Sequence, residues 1–443
     1  MFYEIQPLQQ QQDYKKMLEI IGNLTLLFSE SNSPYLPYRC HENIFCKYFE
    51  ATNLGRMDCS ADAKKDRIGI GLKTWMGNDD QKVAEFGKLR PEYEHLSGIE
   101  LVKKIAEYRN DRIRITKNLH GIDMMIYHIV KRVPGTMKIL EHAFDYIDID
   151  NIQIIENRGN ANNTYFSDGK HIYHFSVSKN TLYMIFSDME ELDSFPVQIM
   201  NDPYSFLMNL QRPSPLHFET ESKNGIRIDY TVDIHHMLSK EIDKKSKQLC
   251  LRLYTIDRST KEKIVAPTSG LNQWNGVRTS NRKKADGTIV HVESPRNPNE
   301  LYIPYPAPDR NRKPDFFPPR DTAFNLHLPD GTIISAKVCQ EAHKKMPDSQ
   351  YQLLDENEKA KEDARRLEGK AIMSNPNKVL GEWLLRKVFE LPEGTVVTYQ
   401  MLERFGIDSV VFTKLDDLEY SVDFSDLGTY EEFYGDENDL DEE

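Results

Sequence analysis

The segment RIGIGLKTW, residues 67–75, has the alternating pattern of side chains that is typical of a half-buried β-strand. One face of this strand is predicted to be apolar and to carry Ile68, Ile70 and Leu72. The opposite face carries Gly71 and Lys73, so that a lysine stands beside a position without a side chain. A charged group on an otherwise apolar strand makes this segment the first candidate for chemistry.

The sequence around this strand predicts a mixture of helices and strands up to about residue 187. Apolar residues at helical spacing predict helices over about 1–30, 41–51 and 97–109. A further helix is predicted to begin at Asp79 and Asp80, which are good capping residues, and to carry Val83 and Phe86. Strands are predicted in the segments MMIYHIVKRV, IQIIEN, NTYFSDGKHIYHFSVS and LYMIFS. The first half of the chain is therefore expected to be a mixed α/β domain.

The second half, from about Leu249, has the pattern of a mostly β domain. Short strands separated by proline and turn residues are predicted, among them TVVTYQML at 395–402. LGEWLLRKVFEL at 380–391 predicts one helix, and the charged stretch 351–370 is either a solvated helix or a flexible insertion. Such a series of short strands is typical of a barrel or a pseudobarrel.

The charge of the chain is unevenly distributed. The 443 residues carry a formal net charge of -13, but 13 acidic residues and no Lys or Arg lie in 416–443, so the rest of the chain is neutral. The segment 272–320 holds nine basic against five acidic residues. A basic region on a neutral body is compatible with binding to nucleic acid, and the acidic end is expected to be a tail.

The composition excludes several classes of protein. No run of about 18 apolar residues is present, so a membrane span is not expected. The first residues lack the basic region and apolar stretch of a secretory signal. Five scattered cysteines without a C-x-x-C pair argue against a disulfide framework or a structural zinc site. These features predict a protein of the reducing cytoplasm.

Three residues near the strand at 67–75 could support metal-dependent hydrolysis of a phosphodiester: Asp58, Lys73 and Glu85. Mg²⁺ prefers carboxylate oxygens, and a cation near the attacking water helps to stabilise the charge of the reacting phosphate. The set resembles the site of the PD-(D/E)XK nucleases, in which an Asp near one strand and an acid-x-Lys pair on the next strand face the same side. The resemblance implies that Asp58 and Glu85 bind Mg²⁺ and that Lys73 positions water.

The sequence departs from that pattern at Gly71, which stands where the motif has its acid. A variant of the same nucleases has the acid on the following helix instead, and Glu85 is the predicted replacement because a glycine leaves room for its carboxylate. Glu42 is predicted to be a further ligand or a residue that supports the site. Asp62 and Asp66 remain alternatives to Asp58.

Several ordered motifs in the second half resemble the C-terminal domain of NgoFVII-type restriction endonucleases. They include SGLNQWNGVR, SPRNPNELYIPYP, FNLHLPDGTIISAKV and KAIMSNPNKVLGEWLLRKVFEL, within about residues 265–425. The resemblance implies a DNA-reading pseudobarrel of the plant B-three type, whose two arms clasp the major groove. Better-known members pair this domain with a metal-free phospholipase-D-like nuclease, whose site needs a His-x-Lys motif followed by an Asp. The one His-x-Lys of this chain, at 343–345, is followed by Gln350 at the position of that Asp.

The predicted DNA contacts are basic and amide side chains in this domain. Arginine reads guanine edges and asparagine reads adenine edges, which favours Arg278, Arg282, Arg296, Asn297 and Asn299 as base contacts. Phosphate contacts or turn formation are predicted for Lys344, Lys345 and Asn375.

These inferences predict an α+β protein with a mixed α/β PD-(D/E)XK-like nuclease domain followed by a mostly-β pseudobarrel. The predicted boundaries are 1–215 for the nuclease domain, 216–248 for a connector, 249–430 for the reading domain and 431–443 for a disordered tail. The expected function is that of a Mg²⁺-dependent type II restriction endonuclease acting on double-stranded DNA, with a cognate DNA methyltransferase as functional partner. A homodimer and sequential nicking are the two ways in which it could cut both strands. The alternatives are a sequence- or modification-specific DNA-binding protein without nuclease activity and an RNA-processing nuclease.

Overall fold

The computed structural model describes residues 1–55, 59–159, 162–187, 189–210, 217–221, 227–231, 247–283 and 289–435. The helices of the first half are α1 (Leu8–Asn23), α2 (Tyr38–Tyr48), α3 (Arg90–Tyr93), α4 (Gly98–His120) and α5 (Pro203–Leu210). Its strands are β1 (Thr52–Asn53), β2 (Ala63–Lys65), β3 (Ile68–Trp75), β4 (Asp80–Glu85), β5 (Met124–Val133), β6 (Thr136–Ala143), β7 (Gln153–Ile154), β8 (Asn163–Ser167), β9 (Ile172–Ser176), β10 (Thr181–Ile185) and β11 (Glu191–Pro196). The predicted mixture of helices and strands is confirmed.

Two sheets organise this half of the chain. A six-stranded sheet has the order β1-β2-β3-β5-β6-β11, and a five-stranded sheet has the order β4-β10-β9-β8-β7. β3 and β5 are parallel, as a helical crossover through α4 requires. One face of the six-stranded sheet packs on α1 and α2, and the other face shares a core with α4 and the five-stranded sheet. Ile70 and Leu72 lie in the first core, which confirms the predicted apolar face of β3.

Two local predictions were wrong. The segment after Asp79 is strand β4, not a helix, because its pairing with β10 outweighs the local capping signal. The segment TVVTYQML is not a strand. Thr398 caps a helix over Tyr399–Phe405, and its side chain accepts a hydrogen bond from the backbone N–H of Met401 at 3.2 Å.

A short hairpin of β12 (His217–Glu221) and β13 (Arg227–Thr231) lies within the predicted connector. The strands of the second half are β14 (Gln248–Arg252), β15 (Thr255–Ile256), β16 (Lys263–Ile264), β17 (Val277–Lys283), β18 (Ile289–Pro295), β19 (Ile303–Pro304), β20 (Ala323–His327), β21 (Ile333–Glu341), β22 (Gly369–Ser374), β23 (Ser409–Asp416) and β24 (Glu419–Ser425). Its helices are α6 (Ala307–Arg312), α7 (Asp348–Tyr351), α8 (Glu356–Arg366), α9 (Val379–Gly381), α10 (Tyr399–Phe405) and α11 (Thr429–Tyr434), and α9 continues as a π-helix over Glu382–Val388. The helix predicted at 380–391 and the mostly β character of this half are confirmed.

The second half is built on a curled sheet of seven strands, in the order β14-β23-β24-β20-β21-β22-β19. The edge strands β14 and β19 approach each other without pairing, so the sheet curls round its core but is not closed by hydrogen bonds. Curling of this kind is what a pseudobarrel needs. The β17–β18 hairpin forms a separate two-stranded ribbon outside the curled sheet.

The acidic end of the chain begins as an ordered helix. Residues 431–434 belong to α11, although 431–443 was predicted to be a disordered tail. Glu431 accepts a hydrogen bond from Tyr254 at 2.6 Å and pairs with Lys263 at 2.7 Å. These contacts fasten the helix to the domain of the curled sheet. Residues 436–443 of the predicted tail lie outside the described residues.

Helix α4 joins the two halves of the molecule. Its first part packs in the core of the N-terminal domain, whereas Ile115 and Leu119 lie in the core of the curled sheet. Arg114 pairs with Glu390 at 3.1 Å, and Arg404 forms an ion pair with Asp111. The domain of the curled sheet therefore uses a helix from the other half of the chain to complete its core.

Replacement of Leu119 by alanine is expected to destabilise the curled sheet rather than the domain that carries the helix. The side chain is 2% exposed, and replacing a buried leucine by alanine lowers the free energy of unfolding by about 2–5 kcal/mol. The free energy of unfolding in urea, followed by tryptophan fluorescence, measures the effect. Lys103→Ala on the same helix is the control, and equal stability of the two variants would contradict this packing.

Candidate functional site

An open cleft of about 960 Å³ lies in the first half of the chain, where β3 of the six-stranded sheet faces β4 and α4. Its walls come from α2, the β2–β3 hairpin, β4 and α4, and Leu427 of the C-terminal half lies on one side. The carbonyl oxygen of Leu427 accepts a hydrogen bond from Lys88 Nζ at 3.2 Å. Lys73 and several acidic side chains lie in this cleft, which makes it the candidate site of chemistry.

Glu42 reaches the cleft from helix α2. The neighbouring His41 is buried, and the Tyr14 hydroxyl bridges its Nε2 at 2.8 Å and that of His128 at 3.0 Å. This contact fastens one side of the helix to the core and leaves Glu42 facing the cleft. The Glu42 carboxylate is paired with Arg39 at 3.0 Å, and burial raises its pKa although Arg39 acts in the opposite direction.

Asp62 stands immediately before β2, at the end of the β2–β3 hairpin. Its backbone N–H donates to the carbonyl of Ile70 at 2.8 Å, and its carboxylate accepts from the N–H of Leu72 at 2.7 Å. Burial raises the pKa of this carboxyl, while Lys73 lowers it. The hairpin register therefore holds an acid beside Lys73, and this acid is one of the alternatives left open by the sequence.

Lys73 projects from the face of β3 that looks toward α4 and β4. Burial lowers the pKa of its ammonium group, the Asp62 carboxylate raises it, and the charges of Arg109 and Lys82 lower it further. A lysine whose charge is disfavoured by burial and supported by one acid is typical of functional sites.

The space beside Gly71 is not free for a carboxylate. A Cβ atom at this position would lie 2.9 Å from ring atoms of both Tyr127 and Phe144. These two rings stack with their centroids 4.1 Å apart. The prediction that Gly71 leaves room for a migrated acid is therefore wrong, since aromatic side chains already fill this volume.

The two acids predicted as metal ligands are placed differently from Glu42 and Asp62. Asp58 lies outside the described residues. Glu85 lines the same cleft as Lys73, but it belongs to strand β4 and to the other sheet, not to a helix. Its side chain is 55% exposed and forms an ion pair with Lys82. Glu85 is therefore the more solvated of the described acids in the cleft.

Two arginines of α4 also line the cleft, and sequence reasoning missed both. Arg109 is 3% exposed and donates to the Tyr127 hydroxyl at 2.5 Å. Arg112 donates to the backbone carbonyl of Glu85 at 2.9 Å. The available signal was the i, i+3 spacing of two arginines on an otherwise amphipathic helix, which places them on one face.

The lining of the cleft is positively charged overall. Six basic side chains (Arg39, Lys73, Lys82, Lys88, Arg109 and Arg112) face three acidic ones (Glu42, Asp62 and Glu85). Among the described residues, no group of three or more His, Cys, Asp or Glu side chains is arranged to hold a metal ion. The cleft is thus suited to a polyanion, with two neighbouring carboxylates at its base.

The exposed ribbon β17–β18 carries one of the predicted DNA contacts. Arg278 is exposed near its base, and the backbone of residue 282 lies in the same strand, although the Arg282 side chain lies outside what the structure describes. A two-stranded ribbon fits the major groove of DNA. Arg278 is therefore positioned as a reading residue would be.

Other predicted base contacts have structural partners. Arg296 forms an ion pair with Glu300, which is 2% exposed. The side-chain oxygen of Asn299 accepts from Arg386 Nε at 2.8 Å, and that of Asn297 accepts from the N–H of Asn299 at 2.9 Å. These contacts form the base of the ribbon, so Arg296 and Asn299 in particular are engaged within the protein.

The predicted phosphate contacts fall at opposite ends of the β21–β22 pair. The N–H of Asn375 donates to the carbonyl of Ser335 at 2.8 Å, near the first residue of β21. Lys344 and Lys345 follow the last residue of this nine-residue strand, which spans about 26 Å. Both lysines are exposed. Asn375 and the two lysines are therefore too far apart to contact the same phosphate group.

Replacement of Arg278 by alanine is expected to weaken DNA binding, whereas replacement of Arg296 by alanine is expected to lower the stability of the fold. Loss of a guanine contact costs about 1–3 kcal/mol of specific binding, so Arg278→Ala should weaken DNA affinity and leave unfolding unchanged. Arg296→Ala leaves the buried Glu300 without its cation and should lower the free energy of unfolding by about 3 kcal/mol. Gel-shift titration and urea denaturation of both variants measure the two effects. The opposite assignment of the effects would contradict these roles.

Comparison with known families identifies the second half of the chain. Residues 247–416 match the family model of the NgoFVII C-terminal B3-like DNA-binding domain. This part is a restriction-enzyme-type DNA-binding domain, which confirms the resemblance inferred for it and makes DNA a partner of the protein. The match does not extend into residues 1–246. A search of curated proteins found no match.

The described helices were also compared with the requirements of a membrane span. None of them combines the necessary length with a sufficiently apolar composition.

Proposed function

We propose that the protein is a type II restriction endonuclease that hydrolyses phosphodiester bonds of double-stranded DNA in the presence of Mg²⁺. The observation that supports this most directly is the convergence of Glu42, Asp62 and Lys73 in a basic cleft next to a DNA-binding domain. A carboxylate from a helix, an Asp at a hairpin end and a strand Lys form the type of set that PD-(D/E)XK nucleases use. A cognate DNA methyltransferase would protect the host sites, the enzyme would work in the cytoplasm, and two copies would cut both strands of a duplex.

The residues of the cleft fit a magnesium ion. The charge of Asp62 adds to the effect of burial in raising the pKa of Glu42, so the two carboxylates lie near each other. Burial disfavours the charge of both. A divalent cation would relieve the cost of two buried, like-charged carboxylates. Mg²⁺ commonly binds one or two protein carboxylates and completes its shell with water and phosphate oxygens, so the absence of a third described ligand is compatible with it.

Each side chain has a separate task in this proposal. Asp62 and Glu42 would hold the cation, and Asp58 and Glu85 remain candidates for further ligands. The bound ion would lower the pKa of water and offset the charge of the phosphate. Lys73 donates a hydrogen bond to the attacking water or to the charged phosphate in the transition state. The remaining basic side chains of the cleft hold the backbone of the duplex.

Incubation of the purified protein with unmethylated phage DNA, with Mg²⁺ or with EDTA, tests the proposal. Discrete fragments that require Mg²⁺ are expected, because the reading domain limits cleavage to particular sequences. Fragments that persist in EDTA would contradict the metal-dependent mechanism. Competition by RNA that exceeds competition by duplex DNA would favour an RNA-processing nuclease instead.

A second candidate function is sequence- or modification-specific DNA binding without cleavage. The observation that favours it is Gly71, where the motif acid is missing and two aromatic rings fill the space. Intact phage DNA with a retarded mobility, in Mg²⁺ as in EDTA, would support this function over the first.

The cleavage rate is expected to show a bell-shaped dependence on pH that is narrower than exposed acids and an exposed lysine would give. Burial raises the pKa of Asp62 and Glu42, so their charged forms appear at a higher pH than for exposed carboxyls. Burial lowers the pKa of Lys73, so its charged form is lost at a lower pH than for an exposed lysine. Single-turnover rates on a mapped site, measured from about pH 5 to pH 10, test this expectation. A rate that is constant over this range would contradict the assigned groups.

A further inference from the structure

Arg109 is a buried cation that has no acidic partner among the described residues. It is 3% exposed, and none of the ion pairs formed by the described part of the chain involves its guanidinium group. Its Nε has no hydrogen-bond partner in the described part of the chain. A buried charge is costly unless it is paired, so binding of an anion next to this arginine would be favourable.

The surroundings of Arg109 hold it in one orientation. One guanidinium nitrogen donates to the Tyr127 hydroxyl at 2.5 Å, and the Phe144 ring centroid lies 4.6 Å from the guanidinium carbon. These are the same two rings that fill the space beside Gly71. In the nuclease motif this strand position carries an acid. In this chain it is a glycine, and the two rings packed beside it contact the Arg109 cation.

The position of Arg109 relates it to the groups assigned to cleavage. Arg109 and Lys73 line the same cleft, and the charge of Arg109 disfavours that of Lys73. Two neighbouring cations in one cleft form a receptor for an anion rather than a second metal site. A guanidinium group can donate two parallel hydrogen bonds to the non-bridging oxygens of a phosphate.

We propose that Arg109 binds the scissile phosphodiester directly and that Tyr127 positions it for this contact. The assignment of the scissile group rests on the proposed nuclease function, whereas binding of a phosphate by Arg109 does not. Negative charge accumulates on the phosphate oxygens in the transition state, so the contact strengthens as the reaction proceeds. Arg109 therefore acts mainly on kcat.

Arg109→Met removes the charge and preserves much of the side-chain volume. Single-turnover cleavage is expected to fall at least about 100-fold, while specific DNA binding in a gel shift stays unchanged. The melting temperature is expected to stay the same or rise, because the variant no longer buries an unpaired charge. A fall in melting temperature of more than about 5 °C, accompanied by loss of specific DNA binding, would assign Arg109 a structural role and overturn the proposal.

Two further variants keep the test decisive. Arg109→Lys retains the charge without the planar fork, and kcat is expected to fall with KM unchanged. Tyr127→Phe leaves Arg109 in place without its hydrogen bond and should give a smaller loss of kcat. Unchanged cleavage by Arg109→Lys and Arg109→Met would overturn the proposal.

A binding measurement separates this proposal from the nuclease assignment. Inorganic phosphate, added at constant ionic strength, is expected to raise the melting temperature of the full-length protein and to raise that of Arg109→Met less. If the wild-type protein cuts no DNA, the nuclease assignment fails and this phosphate-dependent difference alone decides the role of Arg109. An equal phosphate effect on both proteins would overturn it.

Discussion

Replacement of Lys73 by alanine is expected to abolish Mg²⁺-dependent cleavage and to leave specific DNA binding intact. The ammonium group lies beside Asp62 in the cleft, and its loss removes the hydrogen-bond donor assigned to the attacking water or the phosphate. Loss of one such electrostatic contact costs at least about 100-fold in rate. Single-turnover cleavage of a mapped site and gel-shift titration in EDTA measure the two properties.

Lys47→Ala is a suitable control for this experiment. Lys47 is an exposed lysine on helix α2 and does not line the cleft. Normal cleavage by this variant together with loss of cleavage by Lys73→Ala would locate the effect in the cleft. Full activity of Lys73→Ala would remove the cleft as the site of hydrolysis, and loss of DNA binding in the same variant would show a general structural defect.

The second large effect concerns the choice between acidic residues. Asp62→Asn and Glu42→Gln are each expected to lower cleavage at least about 100-fold and to raise the Mg²⁺ concentration required for half-maximal rate. Both changes keep the shape of the side chain and remove the charge that would bind the metal. Cleavage rates over a series of Mg²⁺ concentrations measure the effect.

Asp58→Asn and Glu85→Gln provide the matched comparison. Glu85 is more exposed and already paired with Lys82, so its replacement is expected to have a smaller effect than that of Asp62. If instead Asp58→Asn and Glu85→Gln abolish cleavage while Asp62→Asn is active, the metal ligands are those that the sequence spacing first indicated. The four variants therefore decide between two ligand sets in one lysine-containing cleft.

The elements with strong local patterns could be predicted well. The alternation of β3 defined which face of the strand is apolar, and the helical periodicity of α2 and α4 defined two of the elements that line the cleft. Strand β4 was mistaken for a helix, because Asp79 and Asp80 resemble a helix cap while the pairing with β10 comes from residues a hundred positions later. Short exposed strands carry too little local signal to resist such errors.

The candidate site was less predictable than the elements around it. Sequence spacing directed attention to Lys73 and to acids near it, but it ranked Asp58 above Asp62 and gave no role to Arg109. The β2–β3 hairpin register brings Asp62 next to Leu72 and Lys73, and this register depends on backbone hydrogen bonds rather than on residue type. The space beside Gly71 is decided by Tyr127 and Phe144, which reach it from β5 and from the segment after β6.

The sequence by itself determined two properties of this protein: a mixed α/β first half with a lysine-bearing strand, and a DNA-binding domain in the second half whose motifs occur in a specific order. Both follow from local periodicity and from contiguous segments. Only the tertiary structure decided which acids accompany Lys73, which arginine faces them, and how α4 completes the core of the reading domain. These features join residues that are tens to hundreds of positions apart, and such contacts arise from packing and register that no short segment encodes.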